Sequence, residues 1–147
     1  MKILVATEKP FAKKAVDGIR QIVEGAGYEL ALLEKYTDKS ELLSAVADVD
    51  ALIIRSDKVT AEVIEAARNL KIVVRAGAGY DNVDLAAATA RGIVVMNTPG
   101  QNSNAVAELA LAMMIFMARN GFTPGTGSEI QGKTLGIHYF GIVWCMV

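Results

Sequence analysis

The chain has 147 residues, of which 52% are hydrophobic and 21% charged, and its mean hydropathy is +0.33. This composition excludes intrinsic disorder, because a disordered segment lacks the apolar surface that offsets the entropy lost on ordering. Fifteen basic and sixteen acidic residues give a net charge of -1, so there is no basic excess to attract nucleic acid or an anionic membrane. We therefore expect a folded protein that has neither nucleic acid nor a membrane as a partner.

Cysteine content and hydrophobic run lengths predict the compartment. The single cysteine, Cys145, cannot form an internal disulfide, and the apolar run from Ile3 to Ala6 is too short for a signal peptide. The most apolar stretch, Leu109 to Ala118, is also shorter than the roughly eighteen residues that a membrane-spanning helix needs. These features predict a cytoplasmic protein in which that stretch forms a buried helix.

Strand and helix patterns alternate along the first 120 residues. Short β-branched runs predict strands, and apolar residues at three- and four-residue spacing predict helices. In chain order we expect a strand at Lys2–Ala6, a helix at Phe11–Ala26, a strand at Tyr28–Leu33, a helix from Asp38, a strand at Asp50–Ile54, a helix from Thr60, a strand at Lys71–Val74, a helix at Leu85–Ala90, a strand at Ile93–Met96 and a long helix from Ser103 to about Arg119. Strands separated by such helices predict a doubly wound parallel sheet with helices on both faces, that is, an α/β domain over residues 1–120.

Helix boundaries are indicated by individual residues. Gly27 is the residue type preferred just after a helix, and Asp38 followed by Glu41 is typical of a capping box. Thr60 is expected to cap the third helix in the same way. In the first helix, Ile22 belongs to the apolar stripe.

The remaining residues are predicted to lie outside this domain. Residues 121–131 are rich in turn-forming residues and lack periodicity, so we interpret them as a linker. Lys133 to Ile137 has the pattern of a new strand, and the sequence ends about ten residues later.

Chemistry is expected at the carboxyl ends of the strands, because ligands of open α/β sheets bind there. Four loops at these positions are polar or glycine-rich, namely residues 7–10, 55–58, 75–82 and 97–104. In the second loop, Arg55 offers a planar charged fork of donors and Ser56 a hydroxyl. In the third, Gly77, Ala78 and Gly79 allow close approach to backbone N–H groups. This combination predicts a pocket for a small anion.

The same residues also have purely structural interpretations. Gly77 and Gly79 would serve equally well in a tight turn, and Arg55 could pair with a nearby acid such as Asp57. Asn102 lies at the start of a helix, where it could contact a polar ligand group or simply cap the helix.

Groups for acid–base or metal chemistry are not assembled in this sequence. His138 is the only histidine, and no His–Asp pair, Cys–His pair or metal-ligand spacing accompanies it. Glu108, within the last helix, is expected to point to solvent or to pair in an interface. The residues therefore predict a binding site without a reaction centre.

Three stretches taken together resemble the NAD-dependent D-2-hydroxyacid dehydrogenases. These are Arg55-Ser56, the segment VRAGAGYDNVD at 74–84 and the segment VMNTPGQNSNAVAEL at 95–109. The resemblance extends from Met1 to about Ile137, and within the family it is strongest to the enzymes that act on 3-phosphoglycerate. Each motif alone is weak, but the three occur in the expected order at the expected strand ends.

The resemblance implies a fold, a reaction and a set of contacts. It implies a flavodoxin-like substrate domain followed by a Rossmann domain, with oxidation of 3-phosphoglycerate to 3-phosphohydroxypyruvate by NAD in serine biosynthesis. By motif position, the residues that would contact this small phosphorylated hydroxyacid are Arg55, Ser56, Gly77, Ala78, Gly79 and Asn102. Ala78 would also lie near the nicotinamide.

The resemblance weakens at the predicted cofactor site. Residues 132–147 would be a truncated and altered start of the NAD-binding domain. There the family's glycine motif would place glycines at 139, 141 and 144, but the chain has Tyr139, Gly141 and Trp144. Only Gly141 remains as a candidate cofactor contact, because bulky residues obstruct the tight turn and the close helix packing. The family's catalytic Arg, Glu and His or Lys would all lie beyond Val147.

Two hypotheses follow. The chain is either a substrate-domain part of such a dehydrogenase, inactive alone and holding no NAD, or a non-catalytic module that binds a small anion or caps a partner. In both cases the helix at 103–119 carries an apolar face that could promote self-association.

Overall fold

The structure, a computed structural model, describes residues 1–137. It contains two compact units, Met1–Thr98 and a second that begins at Pro99. The domain boundary predicted near residue 120 differs from this division, which assigns the last long helix to the second unit. The prediction that 132–147 opens a further domain stays a prediction.

Strands and helices alternate in the described residues as the sequence predicts. The strands are β1 (Lys2–Thr7), β2 (Glu29–Glu34), β3 (Ala51–Ile54), β4 (Ile72–Arg75) and β5 (Val94–Asn97). The α-helices are α1 (Lys13–Gly25), α2 (Lys39–Ala45), α3 (Ala61–Ala66), α4 (Leu85–Ala90) and α5 (Ser103–Ala118), and a 3-10 helix covers Asn120–Phe122.

The five strands form one parallel sheet in the order β2-β1-β3-β4-β5, which confirms the predicted α/β fold. Its core is made of apolar side chains that are almost fully buried, among them Leu52 and Ile54 of β3 and Val73 of β4. In register, Ile54 pairs with Arg75 and Arg75 with Asn97, so β3, β4 and β5 end at one level. The loops that follow these three strands therefore leave the same edge of the sheet.

Of two predicted N-terminal helix caps, one is formed in the structure and the other is not. Asp38 and Glu41 form the expected capping box at the start of α2. Thr60 occupies the N-cap position of α3, but its side chain makes no capping hydrogen bond, and its buried Oγ1 has no partner among the described residues. The expectation that its hydroxyl caps α3 is therefore wrong.

Burial of two helices also departs from expectation. In α1, Val23 is 6% exposed whereas its neighbour Ile22 is 75% exposed, because adjacent residues on a helix point about 100° apart and only one faces the core. α5, predicted to be buried, buries only Ser103 and Ala107. Its apolar residues surround the whole circumference, so packing one face leaves the others exposed. None of the helices in residues 1–137 is long and apolar enough to cross a membrane.

The predicted strand at Lys133–Ile137 is not formed. Residues 133–137 have no regular secondary structure, since a strand requires hydrogen bonds to a neighbouring strand and no strand among residues 1–137 pairs with this segment. The rest of that prediction, including His138, Tyr139, Gly141 and Trp144, lies outside the described residues.

Candidate functional site

The loop that follows β3 presents Arg55 to solvent. Arg55 and Ser56 are both exposed, directly beyond the buried Ile54. Within residues 1–137 the Arg55 guanidinium forms no salt bridge. The alternative in which Arg55 pairs with Asp57 is wrong, because Oδ2 of Asp57 accepts a hydrogen bond from the backbone N of Arg55, at 3.3 Å. The charge of Arg55 is therefore available to an anion.

The Asp57 carboxylate is instead buried among groups from the ends of other strands. Its Oδ1 accepts hydrogen bonds from the Tyr36 hydroxyl and from the backbone N of Glu8, each at 2.8 Å. Burial first, and then the bond to Asp57, raises the pKa of Tyr36 well above its ordinary value of 10.0. Tyr36 therefore stays protonated and remains a donor at neutral pH.

The loop that follows β4 is shaped by the side chain of Arg75. A Cβ built at Gly77 would overlap the guanidinium of Arg75, and one at Gly79 would lie 2.9 Å from Oδ1 of Asp81. Neither glycine has a positive φ. These glycines therefore make room for the guanidinium and the carboxylate, rather than adopting a conformation that other residues avoid.

Arg75 joins this loop to the loop after β3. Its Nε donates to the carbonyl O of Arg55 at 2.9 Å, and its Nη1 donates to the carbonyl O of Gly79 at 3.2 Å. Sequence reasoning did not single out Arg75, because its position at the end of a strand gave no sign that it would fold back over the glycines. The register of β3 against β4 creates this contact, and the only signal in the sequence was an arginine two residues before a glycine.

Backbone donors are available beside these arginines. Gly77 is held by its own N–H bond to the carbonyl O of Arg75, at 2.8 Å, and by its carbonyl, which accepts from Thr98 N at 2.9 Å. Ala78 is exposed, and its carbonyl accepts from Nδ2 of Asn97 at 2.7 Å. The N–H groups of Ala78 and Gly79 donate to no acceptor in the part of the chain that the structure describes.

Asn102 belongs to the second unit. It is exposed at the N-cap position of α5, yet its side chain makes no capping hydrogen bond. Capping therefore does not account for its side chain. Further along α5, Glu108 is exposed and its Oε1 accepts from Nδ2 of Asn104 at 2.7 Å, so it points to solvent.

The first unit thus brings together five of the predicted site residues, namely Arg55, Ser56, Gly77, Ala78 and Gly79. It presents one unpaired guanidinium, a hydroxyl and unpaired N–H groups, which suit an anionic ligand such as a carboxylate or a phosphate. Residues 1–137 hold no group of three His, Cys, Asp or Glu side chains that could bind a metal ion.

The family described as "D-isomer specific 2-hydroxyacid dehydrogenase, catalytic domain" matches residues 4–137. The chain belongs to this family. The match includes the three stretches at the ends of β3, β4 and β5 on which the resemblance was based.

Individual relatives are similar over the same region. A hydroxypyruvate reductase of Thermotoga maritima is 42% identical over an alignment of 127 positions, and the match covers 77% of this chain and 42% of the relative. The human D-3-phosphoglycerate dehydrogenase is 45% identical over an alignment of 133 positions, and the match covers 80% of this chain and 25% of the relative.

A solved structure matches almost the entire chain. The NAD+-bound 3-phosphoglycerate dehydrogenase of Entamoeba histolytica is 54% identical, with a TM-score of 0.95, and the match covers 99% of this chain and 48% of that one. The chain thus spans less than half the length of each of these three relatives.

Proposed function

We propose that this chain recognises 3-phosphoglycerate, as the substrate-binding part of an NAD-dependent D-3-phosphoglycerate dehydrogenase. The observation that carries the proposal is the hydrogen-bonded link between the two loops, in which Arg75 holds the backbone of Arg55 and Gly79 together. It leaves the Arg55 guanidinium and the Ala78 and Gly79 N–H groups unpaired among residues 1–137. Likeness to the human and Entamoeba enzymes supports 3-phosphoglycerate as the ligand.

The chemistry of the substrate fits these groups. It carries a carboxylate and a phosphate, and guanidinium groups bind both with paired N–H donors. Backbone N–H groups in a glycine-rich loop complement such donors by donating hydrogen bonds to the remaining negative oxygens. The contact between Asn102 and the substrate, which the resemblance implies, stays a prediction.

Binding tests this proposal directly. Titration of the 147-residue chain with 3-phosphoglycerate is expected to shift the amide signals of Arg55, Ala78 and Gly79. Arg55→Gln should weaken binding about 10- to 100-fold, because one charge-assisted contact contributes on the order of 1.5–3 kcal/mol. Arg68→Gln removes the same charge from the exposed turn that follows α3 and should leave the affinity unchanged. Equal losses in the two variants would contradict the proposal.

The identity of the ligand within the family needs its own comparison. The Thermotoga relative is named for hydroxypyruvate, which lacks a phosphate. We expect 3-phosphoglycerate to bind at least tenfold more tightly than hydroxypyruvate or glycerate. Tighter binding of an unphosphorylated acid would assign the chain to that other activity.

The sequence at the family's nucleotide motif is bulky where the resemblance implies glycine. Tyr139 and Trp144 fall at two of the three glycine positions of that motif, and bulky residue types oppose the tight turn and close helix packing that the motif needs. Gly141 lies outside the described residues, and Ala78 offers only an exposed methyl group and one N–H. We propose that the purified chain neither binds NAD nor reduces it. Turnover above a blank with 3-phosphoglycerate would overturn this.

The second candidate is a non-catalytic module that binds small anions without selecting a hydroxyacid. The unpaired Arg55 guanidinium favours it as much as it favours substrate binding. In that case inorganic phosphate would compete with 3-phosphoglycerate at equal concentration, whereas a substrate site should prefer the larger ligand. A cytoplasmic location stays a prediction for either function.

A further inference from the structure

Asp57 is a buried carboxylate for which neither the sequence motifs nor the binding site has provided a role. Asp57 is 4% exposed, and no Lys, Arg or His within residues 1–137 forms a salt bridge with it. Burying an unpaired carboxylate is unfavourable unless hydrogen bonds replace its water. The bonds that Asp57 accepts therefore indicate what the fold gains from this residue.

Those bonds converge from three parts of the chain. Oδ1 accepts from Glu8 N after β1 and from the Tyr36 hydroxyl after β2, both at 2.8 Å. Oδ2 accepts from the backbone N of Arg55 at 3.3 Å. In addition, the carbonyl O of Asp57 accepts from Nδ2 of Asn82, in the loop after β4, at 2.8 Å.

The two carboxylate oxygens of Asp57 have different hydrogen-bond partners. Oδ1 accepts hydrogen bonds from residues that follow β1 and β2, and these bonds hold the side chain in place. Oδ2 accepts instead from the backbone N of Arg55, whose guanidinium is proposed to bind the ligand. Because the carboxylate is held from the β1 and β2 ends, the N–H of Arg55 has a fixed acceptor. The direction in which the Arg55 side chain leaves the loop is fixed with it.

We propose that Asp57 is a positioning residue for anion recognition: it orients Arg55 through its backbone instead of neutralising its side chain. This inference rests on the proposed function for its effect on 3-phosphoglycerate, but not for its effect on the loop. An acid that paired with the guanidinium would compete with the substrate. An acid that holds the backbone N–H leaves the guanidinium free.

Two variants separate positioning from support of the fold. Asp57→Asn replaces one oxygen by an NH2 group. If the remaining oxygen keeps the two bonds at the Oδ1 position, the NH2 group faces the Arg55 N–H, donor against donor. Tyr36→Phe removes one bond to Oδ1 and leaves the Oδ2 contact intact, so it is the matched control.

The first readout is the amide of Arg55 in the free chain. We expect its hydrogen exchange to be at least tenfold faster in D57N than in the wild type, with a shifted NMR signal, and to be nearly unchanged in Y36F. The second readout is affinity for 3-phosphoglycerate, which should fall tenfold or more in D57N and less than twofold in Y36F. If Asp57 only supported the fold, the exchange rate and the affinity would change in both variants in proportion to their loss of stability.

The outcomes distinguish the two proposals. If the wild type does not bind 3-phosphoglycerate, the proposed function fails, while the exchange of the Arg55 amide still tests positioning. Unchanged exchange at Arg55 in D57N would overturn the positioning role, as would unchanged affinity beside a wild type that binds. If D57N does not fold, Asp57→Ser, which removes the Oδ2 acceptor with less conflict, is measured in the same way against Y36F.

Discussion

At the scale of single residues, the site depends on Arg75, whose guanidinium occupies the space above two glycines. The sequence predicted Gly77 and Gly79 as site residues, and the structure shows a second reason for glycine at both positions. Glycine was expected to admit a ligand to the backbone, whereas both glycines also admit a side chain of the protein itself. That contact depends on which strands are neighbours, and local sequence patterns do not contain this information.

Gly77→Ala tests this interpretation at the same scale. The added Cβ would collide with the Arg75 guanidinium, so we expect Arg75 to be displaced and 3-phosphoglycerate affinity to fall about tenfold, with the fold retained. Gly18→Ala is the control, because a Cβ there meets nothing within 4 Å and the helix interior should gain about 0.5–1 kcal/mol of stability. Both effects are measurable by calorimetric titration and urea unfolding. Unaltered binding in G77A would show that Arg75 is dispensable.

At the scale of elements, helices that look alike in the sequence begin in different ways. Asp38 and Thr60 are both preferred N-cap types, and the order of strands and helices around them was predicted correctly. Only Asp38 makes its capping bonds. A threonine can turn its hydroxyl away from the helix, and the choice depends on tertiary packing. In the same way, Ile22 matched an apolar stripe and still faces solvent.

The two caps should respond oppositely to substitution. Asp38→Ala removes the capping box of α2 and is expected to lower the Tm by several degrees. Thr60→Val keeps the shape of the side chain and removes an unpartnered hydroxyl, so the Tm should stay the same or rise. Thermal unfolding followed by circular dichroism measures both. A loss in T60V as large as that in D38A would mean that the Thr60 hydroxyl has a partner in solution.

At the end of the sheet opposite the candidate site, Asp50 is expected to make the stability of the fold sensitive to acid. Asp50 accepts bonds from Lys2 N and from Nζ of Lys71, each at 2.9 Å, and these bonds, the Lys2 bond foremost, hold its pKa below the ordinary value of 3.8. A lowered pKa in the folded state contributes stability above pH 4, which is lost as the pH falls through the folded-state pKa. Asp50→Asn should therefore narrow the difference in urea midpoint between pH 6 and pH 3. A difference that stays the same in D50N would contradict this prediction.

At the scale of the whole molecule, α5 has an unusual surface. Several of its large apolar side chains are more than 40% exposed, and a cleft of about 530 Å³ beside it is lined by Leu111, Met113, Met114, Met117, Ile130, Lys133, Thr134 and Leu135. Exposed apolar patches of this kind commonly mark interaction sites. We propose, as the sequence suggested for 103–119, that the chain self-associates through this helix.

Sedimentation velocity tests the association. The wild type is expected to sediment as a dimer or larger species at micromolar concentration, and the double variant Met113→Lys, Met117→Lys should sediment as a monomer. Ile22→Lys changes an equally exposed but isolated apolar residue on α1 and should leave the assembly state unaltered. A monomeric wild type would contradict the proposal.

The bonds from Arg75 to two loops have a consequence for the thermodynamics of recognition. Because the carbonyl groups of Arg55 and Gly79 are tied together in the free chain, the entropy of ordering these loops is lost during folding and not during binding. The proposed site is therefore preorganised, and we expect an anion to meet donors that are already in place. We expect selectivity at this end of the sheet to be set by the folded chain, before any ligand is present.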